Sequence, residues 1–296
     1  MDFVIFDLEW NGCFSKKINS YINEIIEFGA VKLNESLEIT GKFNCLVRPV
    51  ISTRLSSSVK TLTSLTYEEL QRGVPFDYGF NKFKKFAAGC VLMTWSKTDI
   101  DSLLSNLRFH RRLNIIPFMK QYVDLQRYCH DMLGLSGKNA LGLQTAADLL
   151  GIDTEDIPHH RALGDSMITA LCLRRLYHKA ALESYIENCE KPFYDELTFR
   201  AFSVESLDSE YSDLSSVFFN CPECGARCRR KNKWKEKFKG FGAPFVCPVC
   251  DFSFTGRVTI KRKYNNTLLS KKVIRYSFHQ NESSAVPSDA ADTQHH

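Results

Sequence analysis

Two acidic residues, one position apart, stand at the end of an apolar segment near the start of the chain. Asp7 and Glu9 close a run of β-branched and aromatic residues over 2–8, which predicts a buried strand. Alternation along a strand puts both side chains on the same side. Carboxylates this close repel each other unless a cation lies between them, and their oxygen atoms favour Mg²⁺ or Mn²⁺. The alternative is a strand end at which both acids simply reach solvent.

A histidine and two further acids fall at predicted element boundaries. His160 precedes an apolar helical stretch, and Asp165 lies in the first turn of that stretch. Asp99 follows a predicted strand at 91–95. Each has an ordinary explanation, since Asp99 and Asp165 can cap helices and His160 can be a surface loop residue. A histidine nevertheless suits proton transfer, because its ordinary pKa of about 6.5 is close to neutral pH.

The C-terminal third contains two Cys-x-x-Cys pairs. Cys221 and Cys224 form the first and Cys247 and Cys250 the second, with 22 residues between them. Four thiolates at this spacing predict one tetrahedral Zn²⁺ site, and a closed thiolate set predicts a structural rather than a catalytic ion. A module this small depends on its metal to fold. Cys228 is left over, and its spacing fits a ligand less well.

The segment between the two cysteine pairs is strongly basic. Residues 221–240 contain eight Lys and Arg against two Glu, a net charge of +6. Bases interleaved with aromatic rings can bind phosphates and stack on nucleobases. The alternatives are a solvated loop for the charges and a place in the small core for Trp234 and Phe238. The residues predicted to bind nucleic acid here are Arg229, Arg230, Lys231, Lys233 and Trp234.

The predicted elements alternate between strand and helix. Thr66 has capping-box spacing to Glu69 and predicts a helix start. The region from 99 to about 187 is predicted to be mainly helical. This pattern predicts an α/β fold with a central mixed sheet flanked by helices and a small C-terminal zinc ribbon. Further strands and helices are predicted near 25–33, 42–48, 77–88, 141–151 and 165–181.

The composition bounds the class of protein. The 296 residues are 44% hydrophobic, as expected of a globular protein. No apolar run reaches the roughly 18 residues of a membrane span, and the N-terminus lacks the pattern of a secretion signal. Eleven cysteines, five of them clustered, suit a reducing compartment with one metal site. We therefore expect a cytoplasmic protein without a membrane partner.

The acidic motifs resemble those of a known family. Phe6-Asp7-Leu8-Glu9, an acid after a central strand and His-x-Ala-x-x-Asp at 160–165 are similar to the DEDDh exonucleases of the RNase T and proofreading-exonuclease superfamily. The stretch Trp95-Ser-Lys-Thr-Asp99 resembles the bacterial KapD-like branch most. The resemblance covers about residues 1–180. Trp10 departs from it, because many members carry a small residue after the glutamate, at a position often beside the terminal nucleotide.

The resemblance implies an RNase H-like fold and a 3′→5′ exonuclease. It implies that two Mg²⁺ or Mn²⁺ ions are held by four acids, that His160 takes the proton of the attacking water, and that nucleoside 5′-monophosphates are released from single-stranded nucleic acid. RNA is expected over DNA from the branch alone. The four acids are Asp7, Glu9, Asp99 and Asp165. His159 precedes His160, but only His160 has the four-residue gap to Asp165.

The expected organisation has four parts, and two other functions compete with the exonuclease. The parts are an exonuclease domain at 1–187, a linker at 188–216, a zinc ribbon at 217–278 and a disordered tail at 279–296. One competing function is a catalytically weak nuclease fold that binds nucleic acid through its ribbon. The other is a zinc-dependent hydrolase, which a closed set of four thiolates disfavours.

Overall fold

The computed structural model describes residues 1–137 and 140–275. The chain divides into two compact units, one from Met1 to Thr198 and one that begins at Phe199. The predicted disordered tail at 279–296 lies outside the described residues, as do the last three residues of the predicted ribbon.

The first unit is built on a mixed sheet. Its strands are β1 (Phe3–Ser15), β2 (Ser20–Leu33), β3 (Ile39–Leu46), β4 (Val91–Thr94), β5 (Gln121–Asp124) and β6 (Glu187–Asn188). The strand order is β3-β2-β1-β4-β5-β6. β1 is antiparallel to β2 and parallel to β4, and β4 is parallel to β5. The predicted α/β class with a central mixed sheet is confirmed.

Helices cover both faces of this sheet. They are α1 (Ser57–Thr63), α2 (Tyr67–Gln71), α3 (Phe76–Phe86), α4 (Lys97–Arg111), α5 (Leu125–Met132), α6 (Leu143–Leu149), α7 (Ala162–Leu176), α8 (Lys179–Ser184) and α9 (Lys191–Thr198). Alternate residues of β1 enter two separate cores. Phe6 and Leu8 pack with α3 and α4, whereas Phe3 and Ile5 pack with α5 and α7. Positions 7 and 9 therefore continue the face that α7 covers.

Several elements differ from their predicted limits. β1 continues to Ser15, well past the predicted end at 8, because β2 pairs with it along its whole length. β5 lies in the region predicted to be mainly helical, and its four residues are too short to give a clear alternation. Thr66 is confirmed as a helix cap, since its side chain and that of Glu69 form a reciprocal capping box.

The second unit contains an antiparallel sheet. Its strands are β7 (Phe202–Val204), β8 (Arg229–Arg230), β9 (Lys235–Lys237), β10 (Gly240–Val246), β11 (Ser253–Arg262) and β12 (Thr267–Arg275). The order is β12-β11-β10-β8, with β7 paired to β11 and β9 paired to β10. One face of this sheet forms the core, with fully buried Phe241, Phe245, Phe254 and Val258.

The predicted linker at 188–216 differs from the structure. α9 lies in this segment, and its Phe193 and Tyr194 are buried in the core that α4 covers. β7 also lies in it and joins the sheet of the second unit through β11. Acids and serines are frequent in this segment and indicate a linker, although its apolar residues pack into the cores of the two units.

Candidate active site and metal centres

Asp7 and Glu9 are positioned by the pairing of β1 with β2. Asp7 lies opposite Gly29 and Glu9 opposite Glu27. The register shifts at Glu9 and Trp10, which marks a β-bulge directly after the second acid. Bulges of this kind re-aim side chains near functional sites.

Asp99 reaches the same strand from α4. Ser96 caps this helix by accepting the amide of Thr98, and Asp99 follows in the first turn. β4 pairs with β1 only as far as Ile5. Beyond that point the Asp99 Oδ1 accepts the backbone N–H of Leu8 at 3.1 Å. Asp99 is almost fully buried, and this bond fixes it between the positions of Asp7 and Glu9.

His160 and Asp165 enter through the loop before α7. His160 has a φ of +55°, a left-handed conformation that is uncommon outside glycine. Arg161 then returns to extended backbone and the helix begins at Ala162. The Asp165 carboxylate accepts the backbone amide of His160. The turn therefore brings the His160 backbone and the Asp165 side chain into contact, and both residues line one cavity.

Close backbone contact seats the start of α7 on β2. A Cβ atom on Gly29 would lie 2.0 Å from the carbonyl carbon of Ala162, so only glycine permits this approach. The Ser166 hydroxyl donates to the Gly29 carbonyl at 3.1 Å. Arg161 adds a two-point ion pair to Glu27, at 3.0 and 2.8 Å. The helix carrying Asp165 is thus held against the strand beside Asp7 and Glu9.

Three of the acids meet in a single cluster. One carboxylate oxygen from each of Asp7, Glu9 and Asp165 lies within 4.8 Å of the others. Asp99 lies outside that group but close enough to raise the pKa of Asp7 through its charge. Asp7 and Asp165 also line a cavity of about 650 Å³ together with His160, His159 and Trp95. Two of the four sequence-predicted acids therefore face an accessible space, while Glu9 and Asp99 lie beside them without lining it.

The electrostatics of the cluster suit bound cations. Burial and, after it, the charges of Asp99 and Asp165 raise the pKa of Asp7 well above its ordinary value. Burial and the charge of Asp165 raise the pKa of Glu9 to about 8. Burial raises the pKa of Asp99 to about 7 and also raises that of Asp165. Positive charge beside these carboxylates opposes the upward pKa shifts, and hard divalent cations supply such charge.

The two adjacent histidines have different surroundings. The His159 Nε2 lies 3.2 Å from the Thr154 carbonyl oxygen, so this ring is engaged by the loop. Both rings line the cavity, but among the described residues no such ring contact engages His160, whose backbone amide binds the Asp165 carboxylate. The geometry therefore leaves His160 as the ring better placed to exchange a proton with a molecule in the cavity.

Glu27, Arg161 and Gly29 also support the site, and the sequence patterns did not identify them. Glu27 is fully buried in a strand of apolar residues. A charged residue in the middle of such a segment was the available signal, because a buried charge needs a partner. Arg161 lies next to the predicted histidine. That proximity gave no indication of its contact with a strand more than a hundred residues earlier.

The four cysteines of the two pairs come together in the second unit. Their sulfur atoms lie within 4.8 Å of one another. The Sγ atoms of Cys224 and Cys247 are 3.4 Å apart, and Cys250 is 3.6 Å from both Cys221 and Cys224. Tetrahedral Zn–S bonds of about 2.3 Å separate their sulfurs by roughly 3.8 Å, so the set fits Zn²⁺ closely. Cys228 is buried nearby, with its thiol 3.7 Å from the Ala226 carbonyl.

The predicted nucleic-acid residues divide into two groups. Arg229, Lys231 and Lys233 are exposed. Trp234 instead belongs to the core, packs against Phe245 and is only 9% exposed. This burial favours the alternative in which the ring packs the small core over its expected role in base stacking. In the other unit, Trp10 is half-buried against the core that α3 and α4 cover.

Arg230 is exposed, but its guanidinium lies over the Trp234 ring at 5.5 Å. It is thus placed against the core side of the unit. Within residues 1–137 and 140–275, every helix is too short or too polar to span a bilayer.

Comparison with known proteins agrees with the geometry of the first unit. The sequence matches the RNase T family, described as Exonuclease, over residues 4–173. It is 27% identical over 175 residues to the probable 3′-5′ exonuclease KapD of Bacillus subtilis strain 168, covering 58% of this chain and 81% of KapD. It is also 27% identical over 165 residues to human 3′-5′ exoribonuclease 1, covering 53% of this chain and 47% of that protein.

A solved structure gives the same result. The crystallographic structure of the nuclease domain of 3′hExo, a DEDDh family member bound to rAMP, is 26% identical with a TM-score of 0.54 and covers 64% of this chain and 97% of that domain. The chain spans less than half the length of the human exoribonuclease. The family match extends over more than half of the chain and includes every acid from Asp7 to Asp165. The chain therefore belongs to the RNase T exonuclease family and is a 3′→5′ exonuclease.

Proposed function

We propose that Asp7, Glu9, Asp99 and Asp165 hold two divalent cations, Mg²⁺ or Mn²⁺, for hydrolysis of the terminal phosphodiester. The observation that carries this proposal is the approach of the Asp7, Glu9 and Asp165 oxygens to within 4.8 Å. Such cations, when bound, supply positive charge that activates water and stabilises the leaving oxygen. The expected products are nucleoside 5′-monophosphates.

His160 acts in this proposal as the general base. It lines the same cavity as Asp7, and its backbone amide holds the Asp165 carboxylate. A ring beside the metal-binding acids can take the proton of the attacking water. Trp10, next to Glu9 at the bulge, is proposed to contact the terminal nucleotide.

The proposed substrate is single-stranded RNA rather than DNA. The human relative is named an exoribonuclease, and the solved nuclease domain of 3′hExo was bound to rAMP. Discrimination would depend on contacts to the 2′-hydroxyl. The set of free thiols supports a reducing compartment, the cytoplasm.

The cysteine cluster is proposed to hold one structural Zn²⁺ and to stabilise a unit that binds nucleic acid. Arg229, Lys231 and Lys233 follow the first cysteine pair and supply exposed positive charge, whereas Arg230 lies over the Trp234 ring. A purely binding role for the whole protein is disfavoured, because all five positions expected of an active enzyme carry the expected residue types.

The deciding experiment uses matched RNA and DNA oligonucleotides labelled at the 5′ end, with and without a 3′ block, in a Mg²⁺ titration. We expect stepwise shortening of unblocked RNA that requires Mg²⁺ or Mn²⁺. Asp7→Ala should abolish it, and His160→Ala should abolish most of it while metal binding persists. Equal cleavage of blocked substrates would show an endonuclease. Loss of activity in His159→Ala but not in His160→Ala would overturn the assignment of the base.

A further inference from the structure

The sheet of the second unit has one apolar and one polar face. Along β11 the buried Phe254, Gly256, Val258 and Ile260 alternate with more exposed residues. Residues directly opposite in paired strands lie on the same face of a sheet. The strand register therefore assigns every residue of the neighbouring strands to the core face or to the opposite, open face.

The open face collects basic residues from four strands. One cross-strand row contains Lys235, Gly242, Arg257 and Lys272. Arg229 joins the same face because it lies opposite Val246, two residues from Pro244, and Lys261 joins it by alternation along β11. We call this set the basic sheet face, and its members are Arg229, Lys235, Lys237, Arg257, Lys261 and Lys272.

The acidic residues of these strands do not offset this charge. Within β7 to β12 the one acid is Glu236. It lies opposite the fully buried Phe241, so it belongs to the core face, and its carboxylate accepts the Leu207 amide at 2.7 Å. Lys237 lines a cavity together with Glu205 and Glu236, but none of the other five bases is paired with an acid across the described strands.

The middle of this face lacks long or charged side chains of its own, since by alternation β10 presents Gly240, Gly242, Pro244 and Val246 to it. The aliphatic stem of Lys237 lies over Gly242. Bases from β9 stand on one side of this strip and bases from β11 and β12 on the other. A chain carrying a negative charge at each repeat can lie along such a strip and meet cations on both sides.

We propose that the basic sheet face binds the sugar–phosphate backbone of single-stranded nucleic acid. The proposal rests on the proposed function in taking nucleic acid as the substrate. It differs from the basic stretch seen in the sequence, because Arg230 and Trp234 belong to the other side of the unit. Arg257, Lys261 and Lys272, which lie beyond the second cysteine pair, replace them.

Neighbouring residues provide a matched control. Arg230, Arg262 and Lys271 are each one position from a member of the basic sheet face, and alternation turns them to the core side. Arg230 lies over the Trp234 ring at 5.5 Å, Arg262 over Tyr211 at 4.9 Å and Lys271 over Phe218 at 4.4 Å.

The test compares two triple variants of the zinc-loaded full chain. One is Arg229→Gln with Lys261→Gln and Lys272→Gln, and the control is Arg230→Gln with Arg262→Gln and Lys271→Gln. Binding of a fluorescent 20-nucleotide single-stranded RNA is measured without Mg²⁺ at several salt concentrations. We expect the first triple to bind at least about 10-fold more weakly. The negative slope of log K against log salt should become shallower by about 2, near 0.7 for each lost phosphate contact. The control should change affinity less than about 2-fold.

Two additional measurements keep the result interpretable. Hydrolysis of a four-nucleotide RNA should be unchanged in both triples, because that substrate needs only the nuclease site. If the first triple fails to keep its zinc, the single pair Lys272→Gln and Lys271→Gln is compared instead, with Lys272→Arg expected to retain binding. Equal losses in the paired variants, or an unchanged salt slope in the first, would overturn the proposal. Absence of hydrolysis in the unmodified protein would refute the proposed function alone.

Discussion

Arg161 and Glu27 form a two-point ion pair, in which Nε and Nη2 of the arginine donate to the two carboxylate oxygens at 3.0 and 2.8 Å. Glu27 is fully buried on β2, directly opposite Glu9. Arg161 immediately follows His160 and precedes α7. The pair therefore connects the strand beside one proposed metal ligand to the loop that carries the proposed base.

Removing the arginine should destabilise the first unit strongly. Arg161→Ala leaves the Glu27 carboxylate buried without its cation, which costs about 3 kcal/mol in the free energy of unfolding. The turnover number should also fall, because the His160 loop loses its attachment to β2. Chemical denaturation and steady-state hydrolysis of a short RNA measure the two effects.

An exposed ion pair serves as the control for that change. Lys191 and Asp195 pair on α9 with both side chains more than 40% exposed, so Lys191→Ala should cost less than about 1 kcal/mol. Glu27→Gln combined with Arg161→Gln removes both charges and should recover part of the stability lost in Arg161→Ala. Equal stability in Arg161→Ala and Lys191→Ala would show that the buried pair does not hold the loop.

Gly29 is expected to be sensitive to a single added methyl group. In Gly29→Ala the new Cβ overlaps the Ala162 backbone, which lies only 2.0 Å away, so α7 must move. Overpacking of this kind costs about 1–3 kcal/mol. It also displaces Asp165 from the cluster. We expect half-maximal activity to require a higher Mg²⁺ concentration, and the melting temperature to be lower.

Gly12→Ala on the neighbouring strand is the matched substitution. Its added Cβ would meet only the Asn23 side-chain oxygen at 3.8 Å, an ordinary contact. This variant should keep near-normal activity and stability. If Gly29→Ala behaves like Gly12→Ala, the close seating of α7 on β2 is not required for the site.

The sequence predicted the residues of the acidic cluster better than the contacts that hold them. Asp7 and Glu9 share a face through simple alternation, and Asp165 falls in a helical first turn, both of which are local properties. The bond from the Leu8 amide to Asp99 joins positions 91 residues apart, and local patterns contain no information on such a pairing. The Glu27–Arg161 pair could not be predicted from the sequence for the same reason.

The second unit illustrates the same limit. The four cysteines were recognisable by their spacing, because metal ligation demands it. The division of the bases between the two faces of the sheet was not recognisable, because Arg229 and Arg230 are adjacent in sequence and lie on opposite faces. That partition depends on the register of strands that the sequence pattern leaves undefined.

The raised pKa values of the acidic cluster predict a pH-dependent stability of the cation-free protein. Unfolded Asp and Glu have pKa values near 4, whereas burial raises the pKa of Glu9 to about 8 and that of Asp99 to about 7. Between these limits the folded state holds more protons than the unfolded state. Its stability is therefore greater at low pH and falls as pH rises from about 4 to 8.

The measurement is thermal unfolding of the first unit at pH 5.5 and pH 8, after dialysis that removes Mg²⁺ and retains zinc. We expect a lower melting temperature at pH 8, and a larger stabilisation by added Mg²⁺ at pH 8 than at pH 5.5. Asp7→Asn removes one buried charge, so it should melt higher than the unmodified protein at pH 8 and respond less to Mg²⁺. A pH-independent response to Mg²⁺ would contradict the assignment of these acids as its ligands.

The two aromatic residues of the basic segment should have opposite mutational phenotypes. Trp234 is buried against Phe245, so Trp234→Ala should destabilise the second unit by about 3–5 kcal/mol.

Phe238 is 79% exposed at the turn between β9 and β10, with the Lys239 ammonium 5.0 Å from its ring. Phe238→Ala should leave stability nearly unchanged. It should weaken single-stranded RNA binding by about 1–3 kcal/mol if the ring stacks on a base. Thermal unfolding and fluorescence anisotropy separate the two effects, and Phe238→Tyr, which keeps the aromatic face, should preserve binding. Unchanged affinity in Phe238→Ala would confine nucleic-acid recognition in this unit to charge.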